Sequence, residues 1–220
     1  MIKTSVDRPA KFRNFSKVIM AYGILREYLK HPAWFLFWSA LTLHKLKRKL
    51  PADVPEDFAN SMVFEVWMYM RLKSKLGQEK ALALMRAVVI PTALAWYGAG
   101  FRIVEAPRSY DNIIKFHELV HARMIEEDAT LIIDERSEER YTYRNTFCPW
   151  HDLLTKLGIP ELTEPYCAID NGLYNIYLPS EIIFHRGGLG KTIASGAPFC
   201  QYIYEHFTPE GGKDSFTRQS

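Results

Sequence analysis

The pattern of apolar residues changes near the middle of this chain. In the first half, apolar residues recur at the three- and four-residue spacing of amphipathic helices, as over 15–29 and 58–76. In the second half, the segments 130–134 and 140–147 are rich in β-branched and aromatic residues and are separated by the charged turn 135–139. This arrangement is typical of an antiparallel hairpin. The sequence therefore predicts an α+β fold, with N-terminal helices followed by an antiparallel sheet with helical insertions.

Prolines and glycines mark where the predicted helices end. Pro32, Pro51 and Pro55 separate the first helices, and Gly77 is expected to end the helix over 58–76. A third helix begins at residue 78, and Pro91 is expected to kink it or end it. Further along, the sequence predicts helices over 110–127, 152–157 and 162–177, and strands over 181–186 and 192–207.

These elements suggest three parts. Residues 1–126 form a helical part, and residues 127–208 form an α+β part that we expect to be compact with the helices. The polar tail 209–220 is expected to be frayed.

Composition excludes several classes of protein. The net charge is only +3, and the basic residues are dispersed except for the cluster Lys45, Lys47, Arg48 and Lys49, which we interpret as a solvated helix end. This distribution does not suggest binding to nucleic acid. The apolar run 33–43 is too short to span a bilayer, and the run 81–101 is interrupted by Arg86 and Pro91. We therefore expect no transmembrane segment, and we expect the aromatic segment 34–38 to be a buried helix, although contact with a partner or a membrane surface stays open. A homo-oligomer also stays open.

The chain has three cysteines, an odd number, with no closely spaced pair. A disulfide framework is therefore not expected, and a reducing cytoplasmic location fits better. Cys148 and His151 lie three residues apart at the start of a predicted helix, where a thiol loses its proton more readily. The pair is a candidate nucleophile and base. The alternative is a half-buried cysteine beside a surface histidine.

Three more positions could complete such a site. Cys167 and Asp170 lie three apart on a predicted helix, where Asp170 could orient a histidine or hold a substrate ammonium. Arg186 ends a predicted strand and could bind a substrate carboxylate by two hydrogen bonds. The alternatives are a buried thiol, a solvent-facing carboxylate and an exposed charge.

The segment His117-Glu118-Leu119-Val120-His121 matches the zinc-protease pattern. Two histidines at positions i and i+4 of a helix share one face and can bind zinc, with Glu118 as general base. No third histidine follows at the expected spacing; Glu138 or Glu139 could be a third ligand, but both lie in the predicted charged turn. The alternative is an amphipathic helix that happens to carry histidines.

The C-terminal residues together resemble the L-2-amino-thiazoline-4-carboxylic acid hydrolase family. The resemblance rests on Cys148-Pro149, on Cys167 with Asp170, on Arg186, and on the segment Gly196-Ala197-Pro198-Phe199-Cys200. It covers about residues 100–207. The final strands are also somewhat similar to ligand-binding domains of the four-vinyl-reductase type.

The resemblance implies hydrolytic opening of a small cyclic amidine or thiazoline at a C–N bond. Cys148, His151, Cys167 and Asp170 would be catalytic, and Arg186 and Cys200 would bind substrate, with no cofactor unless zinc takes part. Two other functions remain open from the sequence. One is a non-catalytic small-molecule-binding or sensor domain, and the other is a zinc-dependent hydrolase that uses His117, His121 and Glu118.

Overall fold

The computed structural model describes residues 19–52, 54, 56–104, 108–188 and 190–207. Helices fill the N-terminal half: α1 (19–25), α2 (Pro32–Leu41), α3 (His44–Lys47), α4 (Glu56–Leu76) and α5 (Gln78–Val104). The chain continues with α6 (Tyr110–Val120), α7 (Ala122–Glu126), β1 (Leu131–Arg136), β2 (Arg140–Asn145), α8 (Pro149–Lys156), α9 (Thr163–Asn175), β3 (Ile182–His185) and β4 (Cys200–His206). Short 3-10 turns lie at Pro160–Leu162 and Ile193–Ser195. The predicted α+β class is confirmed.

The four strands form one antiparallel sheet in the order β1-β2-β4-β3. The predicted hairpin is confirmed as β1 and β2, with an irregularity in the register between Ile133 and Glu135. Strand β4 pairs with β2 on one side and with β3 on the other. The C-terminal strand thus lies inside the sheet, where both of its edges form hydrogen bonds.

Two compact units make up the chain. The sheet unit contains the described residues within 97–148 and 170–207, and the helical unit contains those within 19–96 and 149–169. The described residues within 97–126, which the sequence groups with the helical part, therefore belong to the sheet unit. The predicted tail 209–220 and residues 15–18 of the first predicted helix lie outside the described residues.

The core of the sheet unit is unusually rich in tyrosine. Apolar residues of α6, led by Ile113 and Ile114, pack with the buried side chains of the sheet. These include Tyr141, Tyr143, Ile182, Phe184 and Tyr204, and Tyr177, which lies between α9 and β3, belongs to the same core. Ser109 caps α6, because its hydroxyl accepts a hydrogen bond from the backbone N–H of Asn112 at 3.1 Å. This cap and the packed face fix α6 against the sheet.

The core of the helical unit is built around α4 and α5. Val66, Tyr69, Leu72 and Met85 are almost fully buried there. The hydroxyl of Tyr69 donates to Glu161 at 2.5 Å, so the one polar atom of this large side chain has a partner. Within the described residues, none of the helices has the length and apolar character needed to cross a membrane.

Three local predictions need correction. The third helix does not end at Pro91 but continues to Val104. Pro91 lies on the exposed face of this helix. Next to it, the hydroxyl of Thr92 donates to the backbone carbonyls of Val88 and Val89 in the preceding turn. The helix predicted over 110–127 is interrupted at His121, whose backbone is not helical. The strand predicted over 192–207 begins only at Cys200, because a 3-10 turn and Gly196, with φ of 86°, precede it.

Candidate functional site

The centre of the candidate site is an ion pair between Asp170 and Arg186. Asp170 lies in α9, and Arg186 directly follows β3. The Arg186 Nη2 donates to Oδ2 of Asp170 at 2.8 Å. The Arg186 side chain is 6% exposed, whereas that of Asp170 is 29% exposed. The arginine is therefore the enclosed member of the pair, and the carboxylate is the accessible one.

Arg186 is held by further groups of the sheet unit. Its Nε donates to the side-chain oxygen of Asn171, and its Nη1 donates to the backbone oxygen of Gln201, both at 3.3 Å. Its guanidinium also lies 4.3 Å from the centre of the Tyr202 ring, in cation–π contact. A substrate carboxylate that bound Arg186 would have to compete with these acceptors. The predicted binding role of Arg186 stays a prediction.

The two contacts of Asp170 leave one carboxylate oxygen open. Both Arg186 and the hydroxyl of Tyr202, at 3.2 Å, donate to Oδ2. Oδ1 has no protein partner among the described residues. Burial raises the pKa of the Asp170 carboxyl, and the positive charge of Arg186 and the two hydrogen bonds oppose this rise. Asp170 is thus a fixed acceptor whose second oxygen is available to a ligand.

Cys200 is close to this pair but is a buried packing residue. Its side chain is 4% exposed, and its Sγ accepts a hydrogen bond from the backbone N–H of Ile193 at 3.3 Å. Burial raises the pKa of the Cys200 thiol, which keeps it protonated and weakly nucleophilic. Its predicted role in substrate binding is not tested by these contacts.

Cys148 lies beyond the end of β2. Asn145, the last residue of β2, is opposite Cys200 in the sheet, and Cys148 follows three residues later. Cys148 is half-buried, and none of the three cysteines forms a disulfide. The sheet therefore places Cys148 near the same end of β2 as Cys200, and it leaves the Cys148 thiol partly accessible.

His151 and Cys167 belong to the helical unit. The Nδ1 of His151 is 3.1 Å from the hydroxyl of Thr163, which is buried. Cys167 is half-buried, and beside it the ring of Tyr166 stacks on Trp150 at 5.3 Å. The assignment of His151 and Cys167 to one site with Cys148 and Asp170 stays a prediction.

Of the two histidines of the zinc-protease pattern, His117 is buried against the sheet and His121 is half-buried. The Nε2 of His117 is 2.9 Å from the hydroxyl of Tyr204, and the rings of His117 and His121 lie 5.6 Å apart. Burial lowers the pKa of both histidines, that of His117 to about 3. Glu118 is paired with Arg136 at 2.7 Å.

These residues do not complete a zinc site. The Nδ1 atoms of His117 and His121 have no partner, but the described residues contain no group of three His, Cys, Asp or Glu side chains that could hold a metal. Structural and catalytic zinc sites in proteins use at least three protein ligands. A zinc ion here would need a ligand from outside the described residues.

Sequence reasoning missed the tyrosines around the ion pair. Tyr141 lies opposite Tyr204, and Tyr143 lies opposite Tyr202, with the rings of this second pair stacked at 4.6 Å. Burial raises the pKa of Tyr143, Tyr202 and Tyr204. The signal was present, since both strands carry tyrosines two residues apart and such residues share one face of a strand.

Comparisons with known proteins identify a family. The chain matches the family model described as L-2-amino-thiazoline-4-carboxylic acid hydrolase over residues 58–204. No curated protein matches the chain. Among solved structures, the crystal structure of the Fe(II) unliganded H-NOX protein from K. algicida is similar with a TM-score of 0.34 and 11% identity, covering 93% of this chain and 98% of that chain. Because the family match extends over more than half of its length, the chain belongs to the L-2-amino-thiazoline-4-carboxylic acid hydrolase family.

Proposed function

We propose that this protein is a hydrolase that opens a small cyclic amidine or thiazoline at a carbon–nitrogen bond, with Asp170 binding the cationic end of the substrate. The name of the family indicates hydrolysis of a small molecule. The observation that carries the proposal is the Asp170 carboxylate, which is fixed through Oδ2 and open at Oδ1.

A protonated amidine suits this acceptor. Its positive charge is spread over a planar group with N–H donors, and a carboxylate oxygen accepts such donors in strong charge-assisted hydrogen bonds. Arg186 and Tyr202 hold Oδ2, so the direction of Oδ1 is set before a ligand arrives. A bound amidine remains protonated beside the carboxylate, and protonation makes its central carbon electrophilic.

For the attacking group we favour Cys148. Its thiolate would add to the amidine carbon and form a C–S bond, while the π electrons of the C=N bond move onto the protonated nitrogen. The adduct then breaks the ring C–N bond: the ring nitrogen keeps the electron pair and takes a proton, and the carbon stays bound to the Cys148 sulfur. Water finally cleaves the C–S bond and restores the thiol. The roles of His151 in proton transfer and of Cys167 as a supporting group stay predictions from the sequence.

Direct attack by water is the second route to the same product. It requires Asp170 but not the thiol. A Cys148→Ser variant separates the two routes, because it should lose activity only if the thiolate attacks carbon.

The test is an assay with 2-amino-thiazoline-4-carboxylic acid, in which mass spectrometry follows formation of a ring-opened product heavier by one water. The wild-type protein should form this product, and Asp170→Asn should not. Asp134→Asn is the matched control, since Asp134 forms an exposed ion pair with Arg144 at 3.0 Å in the same unit. Binding of this compound and of related cyclic amidines without turnover would contradict the hydrolase and favour a sensor domain.

A further inference from the structure

Helix α2 presents a cluster of aromatic side chains to solvent. Trp34, Phe37, Trp38 and Leu41 form this aromatic patch, and they are 59%, 55%, 37% and 52% exposed. The three rings contact each other, with centroids 5.5 to 6.2 Å apart. The expectation that the segment 34–38 is a buried helix is therefore wrong for this face. Large apolar groups that are exposed together usually mark an interaction surface.

The opposite face of α2 is firmly held, so the exposure of the patch is built into the fold. Phe35 and Leu36 are buried, and Ser39, fully buried, accepts a hydrogen bond from Arg71 of α4 at 3.1 Å. The guanidinium of Arg71 also lies 5.2 Å from the centre of the Phe35 ring. Rotation of α2 to bury the aromatic patch would break these contacts.

The chain beside the patch carries only positive charge. Lys45, Lys47, Arg48 and Lys49 are exposed, and none forms an ion pair with another described residue. Including Lys30, the segment 28–52 contains five lysines and arginines and no acidic residue. The net charge of the whole chain is only +3, so positive charge is concentrated here.

We infer that the aromatic patch and the basic segment 45–49 dock onto the surface of a membrane that contains anionic lipids. Tryptophan and phenylalanine side chains insert at the boundary between headgroups and acyl chains, and lysines and arginines are attracted to anionic headgroups. In this chain, the aromatic patch lies on α2 and the basic segment begins in α3, the next helix of the same unit. The inference concerns a different surface from that of the proposed hydrolase site.

A second copy of this chain is a less suitable partner. Two-fold dimers bring the same surface of each copy together, so the basic segments of both copies would lie at the same interface. The two basic segments would then repel each other, because the segment contains no acidic residue that could neutralise them. An anionic lipid surface complements both the apolar and the charged part.

The test is flotation of the full-length protein with vesicles of phosphatidylcholine, with or without phosphatidylserine. We expect binding to the anionic vesicles, weaker binding to the neutral ones, and a blue shift of tryptophan fluorescence on binding. Added salt should weaken binding, because it screens the lysines and arginines. Equal binding to both kinds of vesicle, or no binding to either, would overturn the inference.

Two variants locate the surface. Trp34→Ser with Phe37→Ser, and separately Lys47→Glu with Lys49→Glu, should each lower affinity for anionic vesicles by at least about tenfold. The second variant keeps the inference testable if the first fails to fold. Controls are Phe207→Ser, at an exposed aromatic residue of the sheet unit, and Lys80→Glu with Lys115→Glu, which make the same change in charge elsewhere.

Two outcomes with these variants would contradict the inference. One is unchanged vesicle binding by both patch variants. The other concerns the oligomeric state measured by light scattering: a wild-type protein that is dimeric and a variant with Trp34→Ser and Phe37→Ser that is monomeric. The patch would then be an interface between copies of the chain.

Discussion

Arg186 and Asp170 form an ion pair of 2.8 Å in which the two side chains differ in exposure, 6% for the arginine and 29% for the aspartate. Arg186 also bonds to Asn171 and to the backbone of β4, so it belongs to the framework of the sheet unit. Asp170 combines one fixed oxygen with one open oxygen. We interpret the pair as a support for a substrate-binding carboxylate.

Removing the arginine should destabilise the fold. In Arg186→Met, the enclosed Arg186 side chain loses its hydrogen bonds to Asn171 and Gln201, and Asp170 loses its charged partner. We therefore expect a loss of about 2–4 kcal/mol in the free energy of unfolding. The matched change Arg144→Met breaks the exposed pair with Asp134 and should cost less than about 1 kcal/mol. Urea unfolding of both variants measures this difference. Equal losses in the free energy of unfolding would show that Arg186 stabilises the fold no more than a surface arginine does.

The hydroxyl of Tyr202 should influence the pH dependence of activity. It donates to Asp170 and opposes the rise of the Asp170 pKa that burial causes. In Tyr202→Phe this hydrogen bond is lost, so the pKa of Asp170 rises further and we expect the acidic limb of the kcat/KM profile to move to higher pH. Tyr141→Phe is the control, because its hydroxyl has no described contact with Asp170. A Tyr202→Phe profile that coincides with wild type would exclude Asp170 as the group that must be ionised.

His117 should make the fold sensitive to acid. Burial, with a contribution from the nearby His121, lowers the pKa of His117 from 6.5 to about 3. Between these values the unfolded chain binds a proton that the folded chain does not, so the free energy of unfolding falls as pH falls, by up to about 1.4 kcal/mol per pH unit.

The His117→Gln variant tests this effect. Glutamine can still form a hydrogen bond with Tyr204 but does not titrate. The free energy of unfolding of the variant should therefore depend less steeply on pH, by the slope that corresponds to about one bound proton. Urea unfolding at neutral pH and at about pH 5 measures the change. The same slope in variant and wild type would mean that His117 does not remain neutral in the fold.

The three cysteines should differ in reactivity toward iodoacetamide. Cys200 should react slowest, because it is 4% exposed and burial raises its pKa. Cys148 and Cys167 are half-buried and should react faster. Peptide mass spectrometry after timed alkylation of the native protein gives each rate. If Cys148 reacts no faster than a small model thiol at neutral pH, an activated Cys148 thiolate is excluded and direct attack by water is favoured.

Much of the fold could be predicted from local patterns. The hairpin of β1 and β2 follows from two segments rich in β-branched and aromatic residues around a charged turn. The end of α4 follows from Gly77, which adopts a φ of 81°. The order of the strands could not be predicted this way. Strand β4 lies between β2 and β3, and this depends on pairing between residues far apart in the chain, such as Tyr141 with Tyr204.

The candidate site was predictable in part. The spacing of Cys167 and Asp170 and the position of Arg186 after a strand led to site roles that stay predictions, and they did not indicate the ion pair between Asp170 and Arg186. Burial is a property of the packed unit and not of local sequence, so the enclosure of Arg186 and the exposure of Trp34 were both missed. The alternation of tyrosines in β2 and β4 was visible and is a signal that could have found Tyr202.

The most direct test of the proposed function is the ratio of kcat/KM for Asp170→Asn and Asp134→Asn with 2-amino-thiazoline-4-carboxylic acid, measured at neutral pH on folded proteins. Both changes remove one carboxylate charge from an Asp–Arg pair of the same unit, so only the site distinguishes them. We predict a loss of at least about a hundredfold for Asp170→Asn, corresponding to about 3 kcal/mol, and a rate near wild type for Asp134→Asn. Equal kcat/KM values for the two variants would contradict the account.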